Sequence, residues 1–123
     1  MGIFSTNNNQ RQDLWNYLVS TEQLKEVIYA SNNHSVLFFK HSTRCGISIA
    51  ALNQFENQWK GSQTIGEIYL LDLLNHRDVS NEIETITGVM HQSPQVIVVK
   101  NEETIYNASH ASIDAQEIER LLS

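Results

Sequence analysis

The sequence predicts an α/β domain in which helices flank a mixed four-stranded β-sheet. A continuous apolar run at 36–39, bounded by polar residues, and a mostly apolar segment at 67–74 indicate two buried strands. Between these two strands, apolar residues recur at helical spacing. A strand, a helix and a strand in this order imply a right-handed crossover that joins two parallel strands. Two further runs, at 95–99 and 103–107, are separated by a polar turn and predict a hairpin. The expected order is therefore helix, strand, helix, strand, helix, hairpin, helix.

The first two helical regions are predicted from apolar residues that recur every three or four positions. Residues 13–35 are expected to hold two short helical pieces, the second starting at Ser20 with Gln23 as its capping-box partner. The helix after residue 45 is expected to end near Gly61. Its predicted buried face consists of Ile47, Ala51, Leu52, Phe55 and Trp59.

Two more helices and an arm complete the predicted organisation. A helix capped by Ser80 is expected to end near Gly88, where glycine readily adopts a left-handed conformation. Residues 1–12 are polar and are predicted to form a flexible arm, which leaves 13–123 as a single domain. The last helix, within 112–122, is expected to place on one side Ile113, Ile118, Leu121 and Leu122.

The composition narrows the class of function. The 123-residue chain has 14 acidic and 8 basic residues, and its formal charge of −6 argues against broad binding to nucleic acid or anionic membranes. No apolar run approaches the length of a membrane span. One cysteine excludes an intramolecular disulfide, so a reducing cytoplasm is the expected location.

The single cysteine, Cys45, lies in "KHSTRCGIS" (residues 40–48), between a predicted strand and a predicted helix. The positive end of that helix favours a negative charge, and Lys40, His41 and Arg44 would add Coulomb attraction. A lone cysteine more often behaves as a small buried hydrophobe. Here the polar, basic flank and the strand-to-helix turn favour an exposed thiolate, which can attack disulfides. Cys45 is therefore predicted to be the catalytic residue.

Two other residues bear on the same chemistry. Ser48 lies one helical turn after Cys45, where a second cysteine would resolve a mixed disulfide. Serine cannot do so, which indicates a one-thiol mechanism. The alternative is that Ser48 is an ordinary residue of the first helical turn with no functional role. Pro94, the only proline, is either a turn residue at a strand start or part of a cis peptide.

These features together resemble the thioredoxin fold. The segments "FKHSTRCGIS", "TGVMHQSPQVIVV" and "NASHASI" resemble more narrowly the monothiol bacilliredoxins, thioredoxin-like proteins of the bacillithiol system, over about residues 14–122. The resemblance implies a thiol-disulfide oxidoreductase that removes bacillithiol from protein mixed disulfides. Its partners would be bacillithiolated clients and bacillithiol as co-substrate, without a metal or a tightly bound cofactor.

The resemblance also assigns roles to individual residues. Cys45 would attack the disulfide, Pro94 would be a cis-proline facing it, and the backbone of Ser93 would pair with the bound thiol compound. The family usually has proline where this chain has Gly46, and glycine loosens the first turn of the helix and frees a backbone donor. The active-site loop that would stabilise the thiolate comprises Lys40, His41, Thr43, Arg44, Gly46 and Ser48. Its basic members Lys40, His41 and Arg44 are hypothesised to attract the malate carboxylates of bacillithiol.

Two other functions remain open at this point. "CGIS" also resembles the "CGFS" of monothiol glutaredoxins, which share an iron–sulfur cluster with glutathione. Against this, "YNASHASID" lacks the glycine pair that holds glutathione, and one cysteine per chain cannot hold a cluster alone. The second alternative function is that of a non-catalytic thioredoxin-like binding module.

The remaining polar residues give weaker signals. Asp72, at the end of the second strand, is either a buried proton relay for the cysteine or a strand-terminal carboxylate that faces water. Four histidines lack the spacing of a helical metal motif and are expected to form surface or local hydrogen bonds. These are His34, His76, His91 and His110.

Overall fold

The computed structural model describes residues 14–61 and 65–122, in which one mixed β-sheet carries helices on both faces. Its strands are β1 (Asn16–Tyr17), β2 (Ser35–His41), β3 (Ile65–Asp72), β4 (Gln95–Lys100) and β5 (Glu103–Ser109). The α-helices are α1 (Thr21–Ala30), α2 (Gly46–Gln58), α3 (Arg77–Thr87) and α4 (Ala115–Leu122), and a short 3₁₀ turn covers His110–Ser112. The predicted arm, 1–12, lies outside the described residues.

The sheet has five strands in the order β1-β3-β2-β4-β5, so the predicted four-stranded sheet is wrong by one strand. The additional strand, β1, pairs in parallel with β3, and it lies in a region predicted to be helical. Trp15 and Leu18 are both buried, and their spacing of three residues imitates one face of a helix. A two-residue strand is too short to show the alternation that identifies a strand.

The central strands confirm the predicted crossover and hairpin. β2 runs parallel to β3 and antiparallel to β4, and β4 pairs with β5 in a hairpin. Side chains alternate across β2. Leu37 and Phe39 join a core with α2 and α4, whereas Val36 and Phe38 join a second core with α1 and α3.

The start of α1 follows the predicted capping pattern in part. The Gln23 backbone N–H donates to Ser20 Oγ at 3.1 Å, and the Val19 N–H donates to Gln23 Oε1 at 2.8 Å. The first bond satisfies a backbone donor of the first helical turn. The second reaches the residue before the cap, whereas a capping box would bond the Ser20 N–H. The apolar face of this helix is buried as expected, through Leu24, Val27 and Ile28.

The buried face of α2 differs from the predicted one only at its start. Leu52 and Phe55 are buried and Ala51 and Trp59 are partly buried, as expected, but Ile47 is 63% exposed and Ser48 is buried. The apolar residues span more than half the circumference of the helix, so spacing alone did not fix which stripe meets the sheet. The rotation places a polar side chain, Ser48, under the start of the helix and leaves Ile47 facing solvent.

The boundaries of α3 correct a second expectation. His76 occupies its N-cap position, and Ser80 lies buried inside the helix rather than capping it. The helix starts early because Asp72 closes the preceding turn, its carbonyl accepting the N–H groups of Asn75 and His76. The predicted stop is confirmed, since Gly88 has φ of 73° just after the last helical residue.

The last helix is shorter than its apolar pattern suggested. Ile113 is buried but precedes α4, and Asp114 Oδ1 accepts the N–H groups of Gln116 and Glu117 at the helix start. Ile118 is fully buried as expected. Leu121 is 60% exposed, so the predicted apolar side of the helix is not buried along its whole length. The side chain of Leu122 lies outside the described residues.

Candidate active site

Cys45 lies at the junction between β2 and α2. It is the N-cap residue of α2, with φ −110° and ψ 119°, and its carbonyl accepts the N–H of Ile49 at 3.0 Å. Its own N–H donates to the Ser42 carbonyl at 3.3 Å, which closes a tight turn. The thiol is free and half-buried. The cysteine is thus at the helix end that favours negative charge, within reach of solvent.

Ser48 and His41 support this turn from below. Both side chains are buried, and His41 Nδ1 lies 2.7 Å from Ser48 Oγ. Ser48 Oγ also accepts the backbone N–H of Ser42 at 3.0 Å. The serine hydroxyl therefore connects the first turn of α2 to both the end of β2 and the start of the cysteine loop.

Lys40 faces away from this network. Side chains alternate along β2, so Lys40 lies on the face of Phe38, opposite the face of Phe39 and His41. It is completely buried, and its Nζ has no hydrogen-bond partner among the described residues. Burial lowers the pKa of Lys40 to about 8, although attraction to Glu84 opposes the shift.

The loop before β4 forms the other side of the site. Lys40 pairs with Gln95 in the sheet, so the end of β2 and the start of β4 are adjacent. Gln95 is buried, its Nε2 donates to the Met90 carbonyl at 3.0 Å, and its Oε1 accepts the Gln92 N–H at 3.4 Å. The Ser93–Pro94 peptide bond is cis. The pairing of β4 with β2 and the hydrogen bonds of the buried Gln95 amide hold residues 90–94 in place. These residues lie at the same end of the central strands as the cysteine loop.

His91, in the same loop, packs toward α3. Its Nδ1 lies 3.5 Å from Ser80 Oγ. Desolvation, followed by the positive charge of Lys40, lowers the pKa of His91. Ser93 Oγ is buried without a hydrogen-bond partner in the described part of the chain.

A cavity of about 430 Å³ adjoins the cysteine loop, lined by Thr43, Arg44, Leu74 and Asn75. Its two walls are the loop that ends in Cys45 and the turn that follows β3. Asp72 shapes that turn, because its carboxylate accepts the Leu74 N–H at 3.2 Å and Asn75 Nδ2 at 2.8 Å.

The predicted site residues thus separate into groups. His41 and Ser48 are hydrogen-bonded to each other, and Ser48 Oγ and the Cys45 N–H both bond the backbone of Ser42. Thr43 and Arg44 line the cavity. Gly46 begins α2, and a Cβ added there would meet nothing within 4 Å. The side chain of Lys40 lies on the opposite face of the sheet from His41. The catalytic and binding roles of these residues, and those of Ser93 and Pro94, remain proposals.

Three residues of this region are not part of the predicted site. The sequence predicts Gln95 only as the first residue of a strand and Leu74 only as a strand end, and it gives no prediction for Asn75. A polar residue at the start of an otherwise apolar strand was the available signal for Gln95, because a buried amide needs hydrogen-bond partners.

The histidines with predicted local roles are dispersed. His34 precedes β2, His76 caps α3, His91 approaches Ser80, and the His110 N–H donates to the Pro94 carbonyl at 3.0 Å. Among residues 14–61 and 65–122, no three His, Cys, Asp or Glu side chains lie close enough together to share a metal ion. No helix in the described segments has both the length and the apolar character needed to cross a bilayer.

Comparison with protein families matches residues 16–118 to the monothiol bacilliredoxin BrxC. The chain belongs to the monothiol bacilliredoxin family. A solved structure described as a candidate oxidoreductase with a thioredoxin fold is 31% identical, with a TM-score of 0.75, and the match covers 89% of this bacilliredoxin and 94% of that chain. The family and this structural relative support a thiol redox role for the protein.

Two thioredoxins show the same fold at lower identity. The Malassezia sympodialis thioredoxin (Mala s 13) has 18% identity and a TM-score of 0.64, and the match covers 86% of this bacilliredoxin and 85% of that chain. The Trypanosoma brucei brucei thioredoxin has 13% identity and a TM-score of 0.67, with the same two coverages. The predicted thioredoxin-like fold is confirmed, with a fifth strand added.

Proposed function

We propose that this bacilliredoxin removes bacillithiol from protein mixed disulfides, with the Cys45 thiolate as nucleophile. The observation that carries the proposal is the position of Cys45, half-buried at the amino end of α2 in a chain of this family. The unpaired N–H groups at that end stabilise negative charge on sulfur. The partners would be bacillithiolated cytoplasmic proteins.

The reaction is a thiol–disulfide exchange. The Cys45 thiolate attacks the bacillithiol sulfur of the mixed disulfide; a bond forms between these sulfurs as the bond to the client sulfur breaks. The client leaves as a thiolate and takes a proton from water. A second bacillithiol or a dithiol reductase then attacks the disulfide on Cys45, because Ser48 offers no sulfur for an internal attack. No metal or tightly bound cofactor takes part.

The surrounding residues have complementary roles in this proposal. His41 and Ser48 position the cysteine loop through their hydrogen bonds. The backbone at Ser93, beside Pro94, would pair with the backbone-like groups of the bound thiol compound. Thr43 and Arg44 line the cavity that adjoins the cysteine loop, and Gly46 provides the first amide of α2.

Intact-mass spectrometry of the reduced protein, mixed with a bacillithiolated client or with the same client glutathionylated, tests the proposal. We expect a bacillithiol adduct on the wild type and release of the client thiol, with no adduct on Cys45→Ser. Transfer only from glutathione would favour a glutaredoxin-like function. No adduct from either client would leave Cys45 as a structural or binding residue and reject the proposal.

A further inference from the structure

We propose that the cavity formed by Thr43, Arg44, Leu74 and Asn75 binds the acidic, non-reacting part of the small thiol during transfer. This inference rests on the proposed thiol-transfer function and deepens it by locating the subsite for the carboxylate groups of the small thiol. It also assigns charge recognition to Arg44 alone among the three basic residues before Cys45.

The positions of those basic residues support this assignment. Lys40 is completely buried on the opposite face of the sheet, near Glu84 and His91. His41 is buried and hydrogen-bonded to Ser48. Arg44 is exposed, lines the cavity, and forms no hydrogen bond or ion pair among the described residues. Only its guanidinium is therefore available to meet an anion from solvent.

The size and lining of the cavity fit a small ligand. Its volume of about 430 Å³ lies in the range of small-molecule sites, roughly 300–1,000 Å³. Arg44 offers a planar set of donors that matches a carboxylate. Thr43 adds a hydroxyl, and Leu74 supplies an apolar wall. The Asp72 carboxylate behind the turn is already bonded to two donors, the Leu74 N–H and Asn75 Nδ2, which limits its repulsion of an anion.

The location also suits the chemistry. Thr43 and Arg44 belong to the loop that ends in Cys45, so a small thiol bound in the cavity lies beside the loop that presents the attacking sulfur. The backbone of Ser93, on the other side of the site, is proposed to pair with the backbone-like groups of the same thiol compound. The cavity would therefore add charge recognition to that pairing.

Two mixed disulfides of one model peptide test the inference. One carries mercaptosuccinate, which has two carboxylates, and the other carries the neutral 2-mercaptoethanol. We expect the wild type to prefer the acidic probe by about tenfold or more in kcat/KM, and Arg44→Gln to lose most of that preference. Lys100→Gln makes the same charge change on an exposed residue at the far end of β4 and should retain the preference.

A second variant addresses the cavity itself. Asn75→Asp places a carboxylate in the wall while Arg44 remains, so like-charge repulsion should reduce the preference for the acidic probe. High salt should reduce the wild-type preference as well. Equal rates of the wild type on both probes would overturn the inference. So would an equal loss on both probes in Arg44→Gln, because it would assign Arg44 to the thiolate.

The two proposals fail in different ways. Transfer of the neutral thiol by the wild type but not by Cys45→Ser would support the exchange reaction whatever the charge preference. If neither probe is transferred, the exchange reaction itself fails, and the assignment of the cavity fails with it.

Discussion

His41 Nδ1 lies 2.7 Å from Ser48 Oγ, beneath the loop that carries the only cysteine of the chain. The same oxygen accepts the Ser42 N–H, so Ser48 has two partners in a buried position. The serine of "CGIS" is therefore part of the support of the active-site loop. Ser48 thus has a structural role, in addition to leaving Cys45 without a second thiol nearby.

We predict that Ser48→Ala destabilises the protein by about 1–3 kcal/mol, because the buried Ser42 N–H and the His41 ring each lose a partner. Chemical denaturation measures the change in the free energy of unfolding. Ser35→Ala is the matched control, since Ser35 Oγ is also buried but has no hydrogen-bond partner among the described residues. The prediction fails if both substitutions cost the same.

Gly46→Pro should stabilise the protein by about 0.4–1 kcal/mol, because proline restricts the unfolded chain. Gly46 is the first helical residue, a position that favours proline, and Cys45 before it has the extended backbone that proline requires. A Cβ at this position meets nothing within 4 Å. A lowered thermal midpoint would contradict the prediction.

The same position tests the backbone donor beside the sulfur. Gly46→Ala keeps the N–H at residue 46, whereas Gly46→Pro removes it. Because an unpaired N–H at a helix start attracts negative charge, we expect iodoacetamide to alkylate Cys45 more slowly in the proline variant than in the alanine variant. Equal alkylation rates in the two variants would exclude a role for this N–H.

The stability cost of Lys40 should depend on pH. Its pKa falls from 10.5 to about 8 on folding, so between these values the unfolded chain binds more protons and stability rises with pH. Lys40→Met should therefore be more stable than the wild type at pH 7, and the difference should shrink toward pH 10.5. Denaturation at both pH values measures this, with Lys100→Met as an exposed control. A difference that does not change with pH would be inconsistent with a buried, titrating amine.

Gln95→Met should loosen the loop before the cis-proline. The substitution removes the bonds to the Met90 carbonyl and the Gln92 N–H while keeping a similar side-chain volume. We expect a loss of about 1–3 kcal/mol in stability and faster amide hydrogen exchange at residues 90–93. Gln92→Met alters an exposed side chain in the same loop and should have little effect. Unchanged exchange in Gln95→Met would mean that the loop is held by other contacts.

Much of the fold was predictable because its signals are local. The apolar runs of β2 and β4, the cap at Ser20 and the left-handed stop at Gly88 each follow from short-range chemistry. The strand-to-helix junction at Cys45 follows from the same patterns. The thioredoxin-like identity of the fold, in contrast, was predicted from the resemblance of three sequence segments to a known family and not from the spacing of apolar residues.

The errors arose where tertiary contacts decide. β1 is a strand only because β3 pairs with it, and no pattern in two residues reveals that partner. The side of α2 that is buried depends on how the helix rotates against the sheet, which put Ile47 in solvent. Likewise, the sequence places Lys40 five residues from Cys45, but strand alternation directs its side chain to the opposite face.

The buried position of Ser48 has an evolutionary consequence. A single change to cysteine would supply a second thiol, but sulfur is a weak hydrogen-bond acceptor and would replace the oxygen that bonds Ser42 and His41. The gain of a resolving thiol would therefore come with a loss of support for the loop that presents Cys45. A lineage that moves from one-thiol to two-thiol chemistry must also adapt the residues beneath the loop, which makes the one-thiol state persistent.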